Sequence, residues 1–312
     1  MGAGSLTCSC SGLHIRCICL EDALNKLVIV AEGGGMRNAT LSGVLHGLSQ
    51  HGLQPADVSA IYACSSATGP AAYFITNQTE ESFVVWIERL TSWRALNPLR
   101  PLWGQPMGDI HWVVDEAMVR LNRQALGQSS TRLMVGVMQL QTGETHHLAW
   151  NPTDGDALIK ASGAMPRLTL PISIGGVPYI DGGMEKPLPF AEALRLEGSA
   201  SYLVISNRPP DHIERPVSRA MARLLIPGSL PARQALLRRS AYHNGSWELI
   251  RTPPPGAKVF CLQPPPGQPC RRFERSAPVV RNAIDEGRLV VERALSKGLE
   301  QFLSECCVAA AR

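Results

Sequence analysis

Apolar positions along the chain follow two rhythms. Leu27-Val28-Ile29-Val30-Ala31 is a short continuous apolar run, the pattern of a strand covered on both faces. Leu41, Val44, Leu45 and Leu48 then recur at helical spacing and define one apolar face, with Gly52 and Pro55 marking the stop. Residues 58–64 predict a second strand. Residues 71–75 continue a helix whose first turn tolerates Pro70, where the missing N–H costs nothing. Residues 132–137 and 146–150 read as strands joined by a turn at Thr142-Gly143, residues 157–164 as a helix ended by Pro166, and 177–180 and 202–206 as two more strands. Apolar strands alternating with helices argue for a mainly parallel sheet covered on both faces.

Past Pro210 the texture changes. Residues 218–225 and 232–249 predict helices, Pro253-Pro254-Pro255-Gly256 a link and 258–262 a short strand. Pro264-Pro265-Pro266 breaks the chain again before a long amphipathic pattern over 282–304. The expected organisation is a poorly structured tail over 1–24, an α/β core over 25–210, and an extension over 211–312 that packs onto the core. No internal repeat is visible.

Composition adds bounds. A chain of 312 residues can bury a sizeable core, and its 45% hydrophobic and 18% charged content is ordinary for a globular protein. A formal charge of +4 is too small to imply nucleic acid. Arg233, Arg238 and Arg239, and again Arg271, Arg272 and Arg275, form local basic clusters. Their first reading is a solvated face and their second a weak attraction to anionic lipid headgroups. No uniformly apolar stretch reaches the roughly 18 residues of a spanning helix. The run 13–20 is broken by His14 and Arg16 and followed by Glu21 and Asp22, unlike a secretion signal. A cytoplasmic location follows as the expectation, with any membrane contact peripheral. The nine cysteines do not space like a disulfide scaffold. Cys8, Cys10, Cys17 and Cys19 offer four thiolates for a tetrahedral zinc, but C-x-C is tighter than the usual knuckle and little apolar material surrounds it, so a plain tail is the preferred reading.

Three motifs carry chemistry. Gly33, Gly34 and Gly35 follow the first strand, and three such glycines leave N–H groups free to converge on a phosphate or a developing oxyanion, with Arg37 adding positive potential. A purely structural loop remains open. A dinucleotide loop lacks its third glycine because Asn38 stands there, and a Walker loop lacks Gly-Lys-Ser/Thr. Ser65, in Ala63-Cys64-Ser65-Ser66-Ala67, sits between a strand and a helix, where a nucleophile projects from a tight turn. The positions two before and two after it must be small. Both are Ala, for which a positive φ costs roughly 1 kcal/mol or more. Asp181, ahead of Gly182-Gly183, is either a turn former or a base that accepts the Ser65 proton. The histidines at 14, 46, 51, 111, 146, 147, 212 and 243 have no context that singles one out, which favours a Ser–Asp pair over a triad. Residues 93–121, with Trp103 and Trp112, are a lid, an acyl pocket or ordinary surface helix.

Together these residues resemble the patatin-like phospholipases. Val30-Ala31-Glu32-Gly33-Gly34-Gly35-Met36-Arg37 is similar to the family's opening. Ala63-Cys64-Ser65-Ser66-Ala67 stands at its Gly-x-Ser-x-Gly elbow, Ala161-Ser162-Gly163-Ala164-Met165-Pro166 at its Ala-Ser-x-Ala-x-Pro stretch, and Asp181-Gly182 at its Asp-Gly element. Asn207-Arg208-Pro209-Pro210 and the stretch 239–249 resemble a bacterial subgroup. The resemblance implies a three-layer α/β/α fold and a Ser65–Asp181 dyad under an oxyanion hole of Gly33, Gly34 and Gly35. It also implies a lipid or acyl-ester substrate cleaved through an acyl-enzyme, with no cofactor or metal. The alanines at 63 and 67 and Asn38, where the family usually has Gly, raise the alternative of an impaired member that binds lipid or a protein partner.

Overall fold

The computed structural model of the chain describes residues 26–267 and 270–307. The expected tail over 1–24 and the four cysteines at 8, 10, 17 and 19 lie outside the described residues.

Eight strands form one sheet: β1 (Leu27–Ala31), β2 (Val58–Cys64), β3 (Arg132–Gln139), β4 (Thr145–Ala149), β5 (Ile172–Ile174), β6 (Val177–Asp181), β7 (Ala200–Ile205) and β8 (Ala257–Leu262). The order is β5-β6-β3-β2-β1-β7-β8, with β4 also paired to β3. From β3 to β8 the pairings are all parallel. β4, β5 and β6 join antiparallel.

β1 shows why the middle of the sheet is a continuous apolar run. All five of its residues are fully buried. Leu27, Ile29 and Ala31 face one helical layer, and Val28 and Val30 face the other. Each such Val, Leu or Ile contributes about 1.5–3 kcal/mol of burial. Two hydrophobic clusters, one on each face, make the three-layer architecture.

The last third belongs to the same body. β8 pairs with β7 along its whole length. The helix α1 (Ala39–Gln50) packs against α6 (Ala277–Ala294), and Val290 and Val291 of α6 join the cluster that holds Leu41, Val44 and Leu45. The two backbones nearly touch: a Cβ on Gly43 would lie 1.8 Å from the Ile284 carbonyl oxygen, and one on Gly287 would lie 2.1 Å from that of Thr40. The amphipathic pattern over 282–304 is broken, since Gly298 takes φ +97° after α6 and a second helix, Glu300–Cys307, follows. Among the described residues no helix is long and apolar enough to cross a membrane.

Four further helices position the site: α2 (Thr68–Ile75), α3 (Ile110–Arg120), α4 (Gly155–Ser162) and α5 (Leu230–Arg251).

Candidate active site

β3 brings Ser65 and Asp181 together. Gly136 pairs with Cys64 of β2, and the next residue, Val137, pairs with Asp181 of β6. The residue that leaves β2 and the residue that ends β6 therefore meet at adjacent rungs of one strand. A Cβ on Gly182 would lie 2.7 Å from the Gly136 carbonyl carbon, so only glycine allows this approach.

Ser65 takes φ +58°, a left-handed conformation that serine rarely adopts. Strain at this position matches a turn that aims a hydroxyl outward between strand and helix. The flanking alanines carry none of it. Ala67 has φ −74°, and Ala63 lies within β2 opposite Val135. The backbone cost expected for alanine at the elbow does not arise, because the positive φ falls on the serine.

The stretch from Ser162 to Ala164 fastens both ends of the pair. Ser162 Oγ accepts the Ser65 N–H at 2.8 Å and donates to the Gly136 carbonyl at 2.8 Å. The Ala164 carbonyl accepts the Asp181 N–H at 3.0 Å. Asp181 is buried, and its Oδ1 accepts the Gly183 N–H at 2.7 Å and lies 3.7 Å from Cys64 Sγ. Burial pushes the Asp181 pKa up, against the pull of the Ser65 hydroxyl hydrogen bond, the Gly183 N–H and the nearby Arg239 and Arg272, and the balance stays raised.

The glycine loop is only partly free. Gly33 N–H donates to the Pro187 carbonyl at 2.8 Å and Met36 N–H to the Arg272 carbonyl at 3.0 Å. The N–H groups of Gly34 and Gly35 meet no acceptor among the described residues, and Gly35 takes φ +62°. Asn38, the residue in place of a glycine, ties this loop down. Its amide donates to the Glu32 carbonyl at 2.9 Å and to Ser66 Oγ at 3.0 Å, while its own oxygen accepts from Asn207 at 2.9 Å. Arg37 lines neither cavity at Ser65. Its Nε and Nη2 have no hydrogen-bond partner, and burial with the nearby Arg208 and Arg272 cations lowers its pKa to about 9.

Two cavities adjoin Ser65. A polar one of about 20 Å³ is lined by Gly33, Gly34, Gly35, Asp181, Arg239 and Arg272. An apolar chamber of about 150 Å³ runs between α2 and α3 and is lined by Tyr73, Val85, Trp86, Val113, Val114 and Met118, among others. Within 93–121, Leu96 and residues of α3 wall this chamber, whereas Trp103 is exposed. No described histidine lines either cavity. His243 is committed elsewhere: it is fully buried, with Nε2 3.0 Å from Glu32 Oε1. Burial raises the Glu32 pKa, but His243, Ser206 and Arg208 outweigh it and leave the carboxyl below its usual range. That pair clamps the residue before Gly33 to α5.

The family model described as patatin-like phospholipase matches residues 29–194. The chain belongs to the patatin-like phospholipase family. Membership places it among lipid-hydrolysing esterases. A curated relative, the uncharacterized protein YjjU of Escherichia coli (strain K12), is 26% identical over 280 residues, covering 85% of this chain and 75% of its own. Among solved structures, VipD from Legionella pneumophila overlaps 86% of this chain and 67% of its own at 12% identity, with a TM-score of 0.38. The matched region contains the glycine loop, Ser65 and Asp181. Arg239 and Arg272, which line the polar cavity, lie beyond it. The sequence offered them only as members of basic clusters, since nothing local says that they fold back over the glycines.

Proposed function

We propose that the chain is a serine hydrolase of lipid carboxylic esters, like a phospholipase A or lysophospholipase in the bond it cuts, and that it works through a Ser65–Asp181 dyad. Ser65 Oγ attacks the ester carbonyl as its proton passes to an Asp181 carboxylate oxygen. The carbonyl oxygen becomes an oxyanion and is held by the Gly34 and Gly35 N–H groups. The C–O bond to the leaving alcohol then breaks, and the alcohol takes the proton from Asp181. Water, deprotonated by Asp181, attacks the acyl-enzyme and releases the fatty acid and the free Ser65 hydroxyl. The acyl chain rests in the apolar chamber.

The observation that carries this reading is Ser65 itself, strained at φ +58° between an apolar chamber and a cavity containing a buried acid and unengaged N–H groups. The test is reaction with a fluorophosphonate probe, followed by turnover of nitrophenyl esters. Labelling at Ser65 and loss of turnover in Ser65→Ala and Asp181→Asn are expected. An unlabelled Ser65 beside a control hydrolase that reacts sinks the reading.

A peripheral contact with a lipid surface belongs to the same proposal. Leu102 and Trp103 are 77% and 68% exposed, on the segment whose Ala95 and Leu96 wall the chamber. Phe273, also exposed, lines the chamber, and Arg275 stacks over Trp93 with its guanidinium carbon 3.8 Å from the ring centroid. Exposed indole and leucine beside arginine suit the boundary between headgroups and acyl chains.

A further inference from the structure

Arg272 stands where the two cavities adjoin and lines both. Its position is set by the glycine loop. The Arg272 carbonyl accepts the Met36 N–H, and a Cβ on Gly35 would lie 2.9 Å from Arg272 Cγ, so the side-chain stem runs over the loop. Two neighbouring cations pair with acid: Arg239 meets Glu214 at 2.9 Å and Arg208 meets it at 3.3 Å, whereas Arg37 has no such pair among the described residues and lines neither cavity. Arg272 forms no ion pair among the described residues. Burial, with Arg239 and Arg208 nearby, disfavours its charge. Asp181, the acid of the same cavity, already accepts from Gly183 and Ser65. Glu214 and Asp181 favour its charge only from beyond ion-pair distance, so the half-buried guanidinium is open to an arriving anion, and its planar fork of donors matches phosphate oxygens.

We propose that Arg272, supported by Arg239, binds a phosphate group of the substrate next to the scissile ester while the acyl chain occupies the apolar chamber. This rests on the hydrolase reading above for which ester is cut, and it assigns the choice of headgroup to a segment outside the region shared with the family model. Serine at the junction of the cavities places the ester between chain and phosphate, as in a phosphate-bearing acyl glycerol. An uncharged monoacyl ester leaves Arg272 unmet.

Binding tests this without turnover. In calorimetry on the full-length Ser65→Ala variant, n-decyl phosphate, n-decyl glucoside and inorganic phosphate are compared below micelle-forming concentrations. Decyl phosphate is expected to bind at least about tenfold more tightly than decyl glucoside, and inorganic phosphate far more weakly than decyl phosphate. Arg272→Met, which keeps the stem over Gly35, is expected to bring the two amphiphiles within about threefold, and Arg272→Lys to keep part of the preference. Equal affinity for both amphiphiles in the parent overturns the proposal, and so does a preference that survives in Arg272→Met. Inorganic phosphate binding as tightly as decyl phosphate would make this a free-anion site and overturn the lipid assignment. A failed fluorophosphonate reaction sinks the hydrolase reading and leaves the binding ratio readable, so the two failures are distinguishable.

Discussion

The hydroxyl of Ser162 holds the backbone of Ser65, accepting its N–H at 2.8 Å while donating to Gly136 at the same distance. The Ser65 N–H is therefore engaged and is not a donor to an oxyanion in this arrangement. In the proposed mechanism Ser162 is a positioning residue: its two bonds tie the left-handed turn to β3, the strand that also pairs with Asp181.

Ser162→Ala removes both bonds in a fully buried place. A loss of about 1–3 kcal/mol in stability is expected from the two orphaned groups. A larger relative effect is expected on turnover, with kcat/KM for a nitrophenyl ester falling about 10–100-fold as the nucleophile loosens. Ser162→Thr, which keeps the hydroxyl, is expected to recover part of the rate. Paired denaturation curves and steady-state kinetics check this, and an unchanged kcat/KM removes Ser162 from the positioning role.

Burial raises the Asp181 pKa, and the proposed mechanism uses the carboxylate as base, so activity is expected to fall as pH drops through a value above the ordinary Asp range. The stability sign is opposite. The folded state holds this proton more tightly than the unfolded one, so its contribution is most favourable below the unfolded pKa and declines as pH rises through the folded pKa. Asp181→Asn is therefore expected to abolish turnover without lowering the melting temperature at neutral pH, since its side-chain oxygen still accepts from Gly183. A pH–rate profile of the parent and melts of the variant test both halves.

How far this was legible before folding depended on range. β1 shows its bounds in the sequence because a strand buried on both faces has no polar interruption, and β2 is interrupted only at Ser59. β5, three partly exposed residues, has no such signature, and the sequence over 93–121 does not mark off α3 within it. The amphipathic pattern over 282–304 hides its break because apolar spacing continues past Gly298. Glycine motifs and the serine turn are local signals. The role of Asn38 as a clamp, the hold of Ser162 on Ser65 and the return of Arg272 over Gly35 are contacts between distant segments, which no local pattern encodes. The expected cost at the elbow alanines is absent for a related reason: a sequence names residues but not which of them bears the strained dihedral.

Gly43 and Gly245 separate two roles of helical glycine. Gly43→Ala forces a Cβ against the Ile284 carbonyl between α1 and α6, and a loss of about 2 kcal/mol or more is expected. Gly245, in α5, has nothing within 4 Å of an added Cβ, so Gly245→Ala is expected to stabilise by about 0.5–1 kcal/mol. Thermal melts of the two variants should move in opposite directions.

Leu102 and Trp103 give the lipid-surface contact a direct check. Leu102→Asp with Trp103→Ala is expected to reduce sedimentation with phosphatidylglycerol vesicles about tenfold. The parent's binding should weaken as salt rises, because arginines contribute beside the apolar side chains. Equal partition of parent and variant would remove this surface from the contact.

Ala67→Gly decides between a working and an impaired elbow. If alanine strained the turn, glycine would relieve it and raise a near-zero rate by orders of magnitude. Ala67 already sits at φ −74°, where alanine is comfortable, and Ser65 alone carries φ +58°. Glycine at 67 then brings only extra freedom in the unfolded chain and the start of α2, a cost of about 0.5–1 kcal/mol. The expected result is a rate within about threefold of the parent and a lower melting temperature. A large gain in kcat would mean that the alanines do distort the nucleophile, and would favour a lipid- or partner-binding role over catalysis.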